Sequence, residues 1–183
     1  MSSELPELTT DRLRLRAWTL GDVAGAFELY GDPQVTRYIG GQTAKDLDEA
    51  REQLEARIAK TRRYPPGYGA WAVWMGDTIV GCGLLKPLPD REGRTTDDIE
   101  VGWHVVRPKW GQGIATEVGR RLACYGRDEL GLDELHAVTE LGNIASMRVA
   151  ERIGLHYVGR TEAYYGLQLE HYQRSTMAMP CSS

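Results

Sequence analysis

Residues Asp98–Glu129 read DIEVGWHVVRPKWGQGIATEVGRRLACYGRDE, and the rest of the chain arranges itself around them. Ile99, Val101, Trp103 and Val105 alternate with Glu100, Gly102, His104 and Val106, the period of a strand. Pro108 stops the ladder because it has no N–H to donate. Gly111-Gln112-Gly113 follows, where two residues without Cβ allow a tight turn and a close approach to a ligand. Val118, Leu122 and Tyr125 then fall at helical spacing, which predicts a helix from near Ala115. The first N–H groups of that helix lack intrahelical partners and sit at its positive end, an arrangement suited to an anion such as phosphate. As a pattern alone the loop is equally a glycine turn between a strand and its crossover helix. It is not a dinucleotide fingerprint, since Thr116 stands at the third glycine position, and no Gly-Lys-Ser/Thr makes it a P-loop.

Val106-Arg107-Pro108-Lys109-Trp110-Gly111-Gln112-Gly113-Ile114-Ala115-Thr116-Glu117 resembles the acetyl-CoA pyrophosphate loop of the GNAT N-acetyltransferases, in the form used by the RimJ/RimL-type branch. The family's general pattern is Gln/Arg-x-x-Gly-x-Gly/Ala. Trp110 takes the Gln/Arg place and Ala115 the last, a departure normal for that branch. Thr10-Asp11-Arg12-Leu13-Arg14-Leu15-Arg16 and Asp32-Pro33-Gln34-Val35 are similar to the same branch, so the resemblance covers nearly the whole chain.

Composition is ordinary for a globular protein. The 183 residues are 42% hydrophobic and 26% charged, as in one globular domain (1–183) with a sizeable core. The net charge of −4 and the lack of Lys/Arg runs give no reason to expect a nucleic-acid partner. Cys82, Cys124 and Cys181 are too scattered for a disulfide framework or a metal site and fit a reducing, cytoplasmic setting. His104, His136, His156 and His171 show no metal-ligand spacing, so no metal is expected. Neither a signal peptide nor a membrane span is legible.

Taken in order, Leu8–Trp18 alternates as one edge-type strand. Thr19 and Asp22 resemble a capping box before a helix with Val23, Phe27 and Tyr30 inside, ended by Gly31-Asp32-Pro33. A second helix is expected from about Thr43, with Leu47, Ala50, Leu54 and Ile58 on its core side. Arg62–Gly69 is a basic-aromatic loop. Trp71–Met75 and Thr78–Leu84 form a hairpin around Gly76-Asp77. Pro87–Thr96 reads as a polar loop, Glu134–Thr139 as a strand, and Gly142-Asn143 as the start of a helix ended by Gly154. Leu155–Tyr164 and Leu167–Met179 make a last hairpin around Gly166. This order implies an α/β (α+β) fold: a mixed, mostly antiparallel sheet of about seven strands flanked by about four helices, with a parallel crossover at the central unit. The resemblance implies the acyl-CoA N-acyltransferase fold, in which the strands of Glu100 and Val138 splay to admit the pantetheine arm.

A second motif, Glu140–Leu155, looks like the family's Asn-x-x-Ser … Glu-Lys-x-Gly-Phe segment, with Arg152 for Lys and Leu155 for Phe. Asn143 and Ser146 share a face at a helix start and on their own are ordinary caps. Many family members carry a Tyr seven residues after the Asn as general acid; here Ala150 stands there, and Ser146 is the replacement this branch offers. The activity implied is transfer of acetyl from acetyl-CoA to a primary amine, a protein N-terminal α-amine or a small-molecule amine. An α-amine has a pKa of about 8 and an alkylamine about 10, so a base must take a proton. Glu100 is the candidate base; His104 is the rival. The resemblance assigns cofactor contacts to His104, Val105, Val106, Gly111, Gln112, Gly113, Ile114, Ala115, Thr116, Asn143 and Ser146, with a backbone N–H near His104–Val106 for the oxyanion. Tyr172 is read as core. The acceptor loops Arg62–Gly69, Pro87–Thr96 and Tyr164–Gly166 give no decisive pattern, and dimerisation by sheet edges stays open. So do two other classes, a non-catalytic acetyl-CoA-binding module and a nucleotide-binding α/β protein, the latter half-supported by Thr139-Glu140.

Overall fold

A computed structural model describes residues 5–40 and 42–175. Eight strands form one sheet in the order β1-β2-β3-β4-β5-β6-β8-β7. They are β1 Leu8–Thr9, β2 Arg14–Ala17, β3 Gly69–Met75, β4 Thr78–Pro89, β5 Thr95–Val105, β6 Glu134–Glu140, β7 His156–Thr161 and β8 Leu169–Ser175. Five α-helices accompany them: α1 Val23–Tyr30, α2 Pro33–Thr36, α3 Leu47–Thr61, α4 Ile114–Asp128 and α5 Ile144–Arg152. Every neighbouring pair is antiparallel except β5 and β6. The expected mixed, mostly antiparallel sheet is therefore present, with one strand and one helix more than alternation suggested.

The extra strand comes from the N-terminus. Leu8–Trp18 is not one strand but a small hairpin, in which Leu8 pairs with Leu15. The Thr10 N–H donates to the Leu13 carbonyl (2.9 Å) and the Leu13 N–H returns to the Thr10 hydroxyl (2.9 Å). A Thr-Asp corner of this kind leaves the alternation of Leu13 and Leu15 intact, so the pattern could not reveal it. The extra helix is α2, capped by Asp32 accepting from the Gln34 N–H (2.8 Å), with Pro33 at its first position.

Helix α3 starts later than its periodicity suggests, at Leu47, because Asp46 caps it by accepting from the Glu49 N–H (2.9 Å). Ala50 and Leu54 are buried as expected, whereas Leu47, expected inside, is exposed. The polar, proline-rich Pro87–Thr96 is a second correction. β4 continues through it to Pro89, Leu88 is fully buried, and only the turn at Asp90–Arg94 leaves the ladder before β5 begins at Thr95. A register shift between Pro87 and Pro89 accommodates two residues that cannot donate. Met179 and Cys181 lie outside the described residues.

The two faces of the sheet carry separate cores. Leu15, Val101, Val118, Leu122, Val149, Ile153 and Tyr172 belong to the core under α4 and α5. Trp18, Leu29, Tyr30, Leu54, Cys82 and Leu84 belong to the core under α1 and α3. Tyr172 is core as expected. Cys82 is a free, buried thiol, whereas Cys124 is disulfide-bonded, which runs against the expectation of scattered cysteines in a reducing setting. No helix among the described residues is long and apolar enough to cross a membrane.

Candidate active site

The site begins where the sheet opens. β5 and β6 meet in parallel at Glu100 and His136, the one register pair they share. Beyond Glu100, Val101–Val105 keep their pairing with β4, while β6 pairs along its whole length with β8. The two strands therefore part, as the splay around Glu100 and Val138 predicts. The Val106 N–H donates to the Val80 carbonyl (3.0 Å). Because an antiparallel ladder alternates, His104 and Gly102 also direct their backbone toward β4, and Val101, Trp103 and Val105 direct theirs into the gap. Of the expected backbone contacts His104, Val105 and Val106, only Val105 thus presents its N–H to the opening. Its carbonyl accepts from the Trp110 indole (2.8 Å), which fixes the chain entering the glycine loop.

At the mouth of the gap, Gly111 (φ +76°) and Gly113 (φ +78°) both take left-handed backbone, and an added Cβ at Gly111 would meet nothing. Gly113 is the N-cap of α4 and offers no side chain to its first turn. Among the described residues, the N–H groups of Gly111, Gln112, Gly113, Ile114, Ala115 and Thr116 find no acceptor. The loop is held from behind. Arg12 donates to the Gln112 carbonyl (3.1 Å) and ion-pairs with Glu117, to which the Thr10 hydroxyl also donates. The Gln112 amide donates to the Pro108 carbonyl (3.2 Å). Six unsatisfied donors at the positive end of a 15-residue helix fit the pyrophosphate of a coenzyme A thioester.

Helix α5 faces the same gap. Asn143 spends its side-chain oxygen as N-cap, accepting from the Ser146 N–H (3.2 Å). The Ser146 hydroxyl is half-buried, lines the cleft and has no hydrogen-bond partner among the described residues. Ala150 is buried in the core.

Glu100 and His104 project to the opposite face of β5, beneath α1 and α3. Glu100 Oε2 accepts from the Lys86 ammonium (2.5 Å) and from the Tyr165 hydroxyl (2.5 Å), and Lys86 in turn contacts the Tyr165 oxygen (2.5 Å). Both contacts fall on Oε2; Oε1 has no partner among the described residues. Burial works against the Lys86 charge, but Glu100 outweighs it and the ammonium titrates well above its ordinary range. Burial and the Glu100 charge likewise push the Tyr165 phenol up. Tyr165 reaches this position from a turn in which it alone, among described non-glycine residues, has positive φ (+59°). His104 Nδ1 lies 3.0 Å from the Tyr30 hydroxyl, and burial, then Arg57 and Lys86, lower its pKa to about 3. Burial and the neighbouring cations thus favour its uncharged form.

Sequence reading located Glu100 and missed its partners. Lys86 had a signal, as the single charge in the otherwise apolar Val80–Leu88 strand. Tyr165 lay in the expected acceptor loop Tyr164–Gly166, but its contact with Glu100, 65 positions away in sequence, is placed only by the fold. Tyr30, Arg57, Lys60 and Tyr64 also line the cleft, whose volume is about 2380 Å³.

A parted parallel strand pair, a helix start with free N–H groups at its mouth and a buried carboxylate across the sheet make up the candidate site. The family model for the acetyltransferase (GNAT) domain matches residues 12–156. The chain belongs to the GNAT acetyltransferase family. It is 33% identical to Bacillus subtilis YkkB over 93% of this chain and 96% of that one. It is 32% identical to the FsC-acetyl coenzyme A-N(2)-transacetylase of Aspergillus fumigatus over 84% of this chain and 66% of that protein. Its fold matches RimL, the ribosomal L7/L12 alpha-N-protein acetyltransferase solved in complex with coenzyme A, with a TM-score of 0.73 at 16% identity, covering 93% of this chain and 98% of that one.

Proposed function

We propose that this protein, taking residues 1–183 as one cytoplasmic domain of the RimJ/RimL-type branch, moves acetyl from acetyl-CoA to a primary amine without a covalent enzyme intermediate. The observation that carries this is the row of six free N–H groups at Gly111–Thr116 opening onto the parted β5–β6 edge. The Aspergillus fumigatus relative and RimL, both named as acetyltransferases at nitrogen, agree with it.

The pyrophosphate sits on Gly111, Gln112, Gly113, Ile114, Ala115 and Thr116, and the pantetheine amides pair with the Val105 edge of β5. Asn143 keeps the start of α5 in place beside the cleft. The amine nitrogen attacks the thioester carbon, forming the C–N bond and sending the carbonyl electron pair to oxygen. The Val105 N–H is the oxyanion donor that faces the gap. Glu100 Oε1, directly or through water, takes the proton the amine loses. Collapse re-forms the carbonyl and breaks the C–S bond, and Ser146 Oγ–H gives the leaving thiolate its proton, with solvent restoring the serine.

Thermal unfolding with and without acetyl-CoA, with ATP and NAD as controls, tests the reading. Ligand at a hundred times its Kd should add about 2.7 kcal/mol. Stabilisation by acetyl-CoA alone, followed by amine-dependent release of free thiol, is the expected result. Stabilisation by a nucleotide and not by acetyl-CoA would sink it.

A further inference from the structure

Charge is unevenly distributed in the part of the cleft beneath α1 and α3. Lys86, Arg57 and Lys60 line it, against one lining carboxylate on that side, Glu100, which Lys86 already neutralises. Arg57 and Lys60 stand three apart on α3 and so share a face. Neither has an ion-pair partner among the described residues. The Arg57 guanidinium lies over the Tyr30 ring at 4.3 Å, half-buried, next to a histidine that carries no charge. Lys60 is pulled below its ordinary range, by burial first and then by the charges of Lys86 and Arg57, with Glu100 opposing them only as the smallest contribution. Holding like charges in a partly dry cleft is unfavourable unless a ligand brings the opposite sign.

Resting on the acetyl-transfer reading above, we propose that the acceptor is an amine that also carries an acidic group, a carboxylate or phosphate, and that Arg57 with Lys60 binds that group while the amine lies toward Glu100. The planar fork of Arg57, held over the Tyr30 ring, suits either oxyanion and loses little freedom on pairing. A second cationic amine on the acceptor, as in a polyamine, meets repulsion from the same two side chains.

Matched acceptors differing only in the acid test this, with free-thiol release as the readout. Glycine, β-alanine and 4-aminobutyrate are each compared with the primary amide, and O-phosphoethanolamine with ethanolamine. For at least one pair the acid should exceed its neutral mate in kcat/KM by about tenfold or more, as one charge-assisted hydrogen bond supplies. The carboxylate and phosphate arms show which oxyanion the site takes. Arg57→Gln should bring the ratio toward one while the Kd of acetyl-CoA stays unchanged. Lys60→Gln, at an exposed position, should lower the ratio less and serves if Arg57→Gln unfolds. If nothing in the panel turns over, thermal shifts of the acetyl-CoA-saturated protein decide: stabilisation by acids and not by neutral mates supports the proposal. Equal or reversed preference in turnover or in shift overturns it while the acetyltransferase reading stands. Failure to bind acetyl-CoA at all overturns both.

Discussion

Glu100 sits where its charge needs an answer, and Lys86 and Tyr165 supply it on a single oxygen. Glu100→Gln should lower kcat by roughly 10²–10⁴ if Oε1 is the base, with the Kd of acetyl-CoA unchanged; stopped-time assays of thiol release check it. The same change leaves Lys86 facing an uncharged partner at low exposure, so a loss of about 3 kcal/mol in urea unfolding is also expected. Tyr165→Phe removes one donor and keeps the ion pair, which separates the two effects. His104 makes a pH prediction of its own. Its folded pKa of about 3 lies below the unfolded value of about 6.5, so between those limits the unfolded chain binds the extra proton. The stability it contributes is present above pH 6.5 and is lost as pH falls from there toward 3, by at most about 1.4 kcal/mol per unit. Urea midpoints at pH 7 and pH 5 should fall further for the wild type than for His104→Gln.

At the scale of elements, the glycine loop and α3 are placed by different devices. Gly113 has left-handed backbone and ends the approach to α4, so Gly113→Val adds strain of about 1–2 kcal/mol and sets a branched side chain against the Arg12 guanidinium that holds the loop. The expected result is loss of the acetyl-CoA-induced rise in Tm with the helical circular dichroism retained. Asp46 is the N-cap of α3, and Asp46→Ala should cost about 1 kcal/mol and fray the helix that carries Arg57 and Lys60. Hydrogen exchange in the first turn of α3 reads that directly. Much of this level was legible in the sequence. Gly111-Gln112-Gly113 before an apolar helical stripe, and Asn143 three before Ser146, were visible because cap and turn chemistry is local. The continuation of β4 through Pro87 and Pro89 was not, because burial of Leu88 depends on Tyr164 and Leu169 packed against it from the far end of the chain.

For the molecule as a whole, the sheet has to be stiff on one side of β5 and open on the other. Stiffness comes from the β4–β5 ladder and the core beneath α4, where Leu122 is fully buried against the sheet. Leu122→Ala should cost about 2–5 kcal/mol, measured by denaturant unfolding, and a loss at the low end would mean that α4 settles into the space. Gly81 is the tighter constraint, since a Cβ there would collide with the His104 carbonyl across the ladder. Openness comes from β8, which pairs with all of β6 and draws it away from β5 after Glu100. Glu100, Ser146 and the Gly111–Thr116 donors come from three separate elements around that opening.

The sequence by itself determined the periodic and local features: the strand of Glu100, the glycine loop, the caps, the stripes of α1, α4 and α5, and the order that makes one parallel crossover. Each depends on residues a few positions apart, whose spacing is readable without coordinates. Only the tertiary structure decided that Val105 and not His104 or Val106 offers its N–H to the gap, and that Lys86 and Tyr165 close on Glu100. It alone also set Arg57 over Tyr30 beside an uncharged His104. Those outcomes depend on contacts between residues 14 to 74 positions apart, brought together by burial of two cores whose pairing no local pattern encodes.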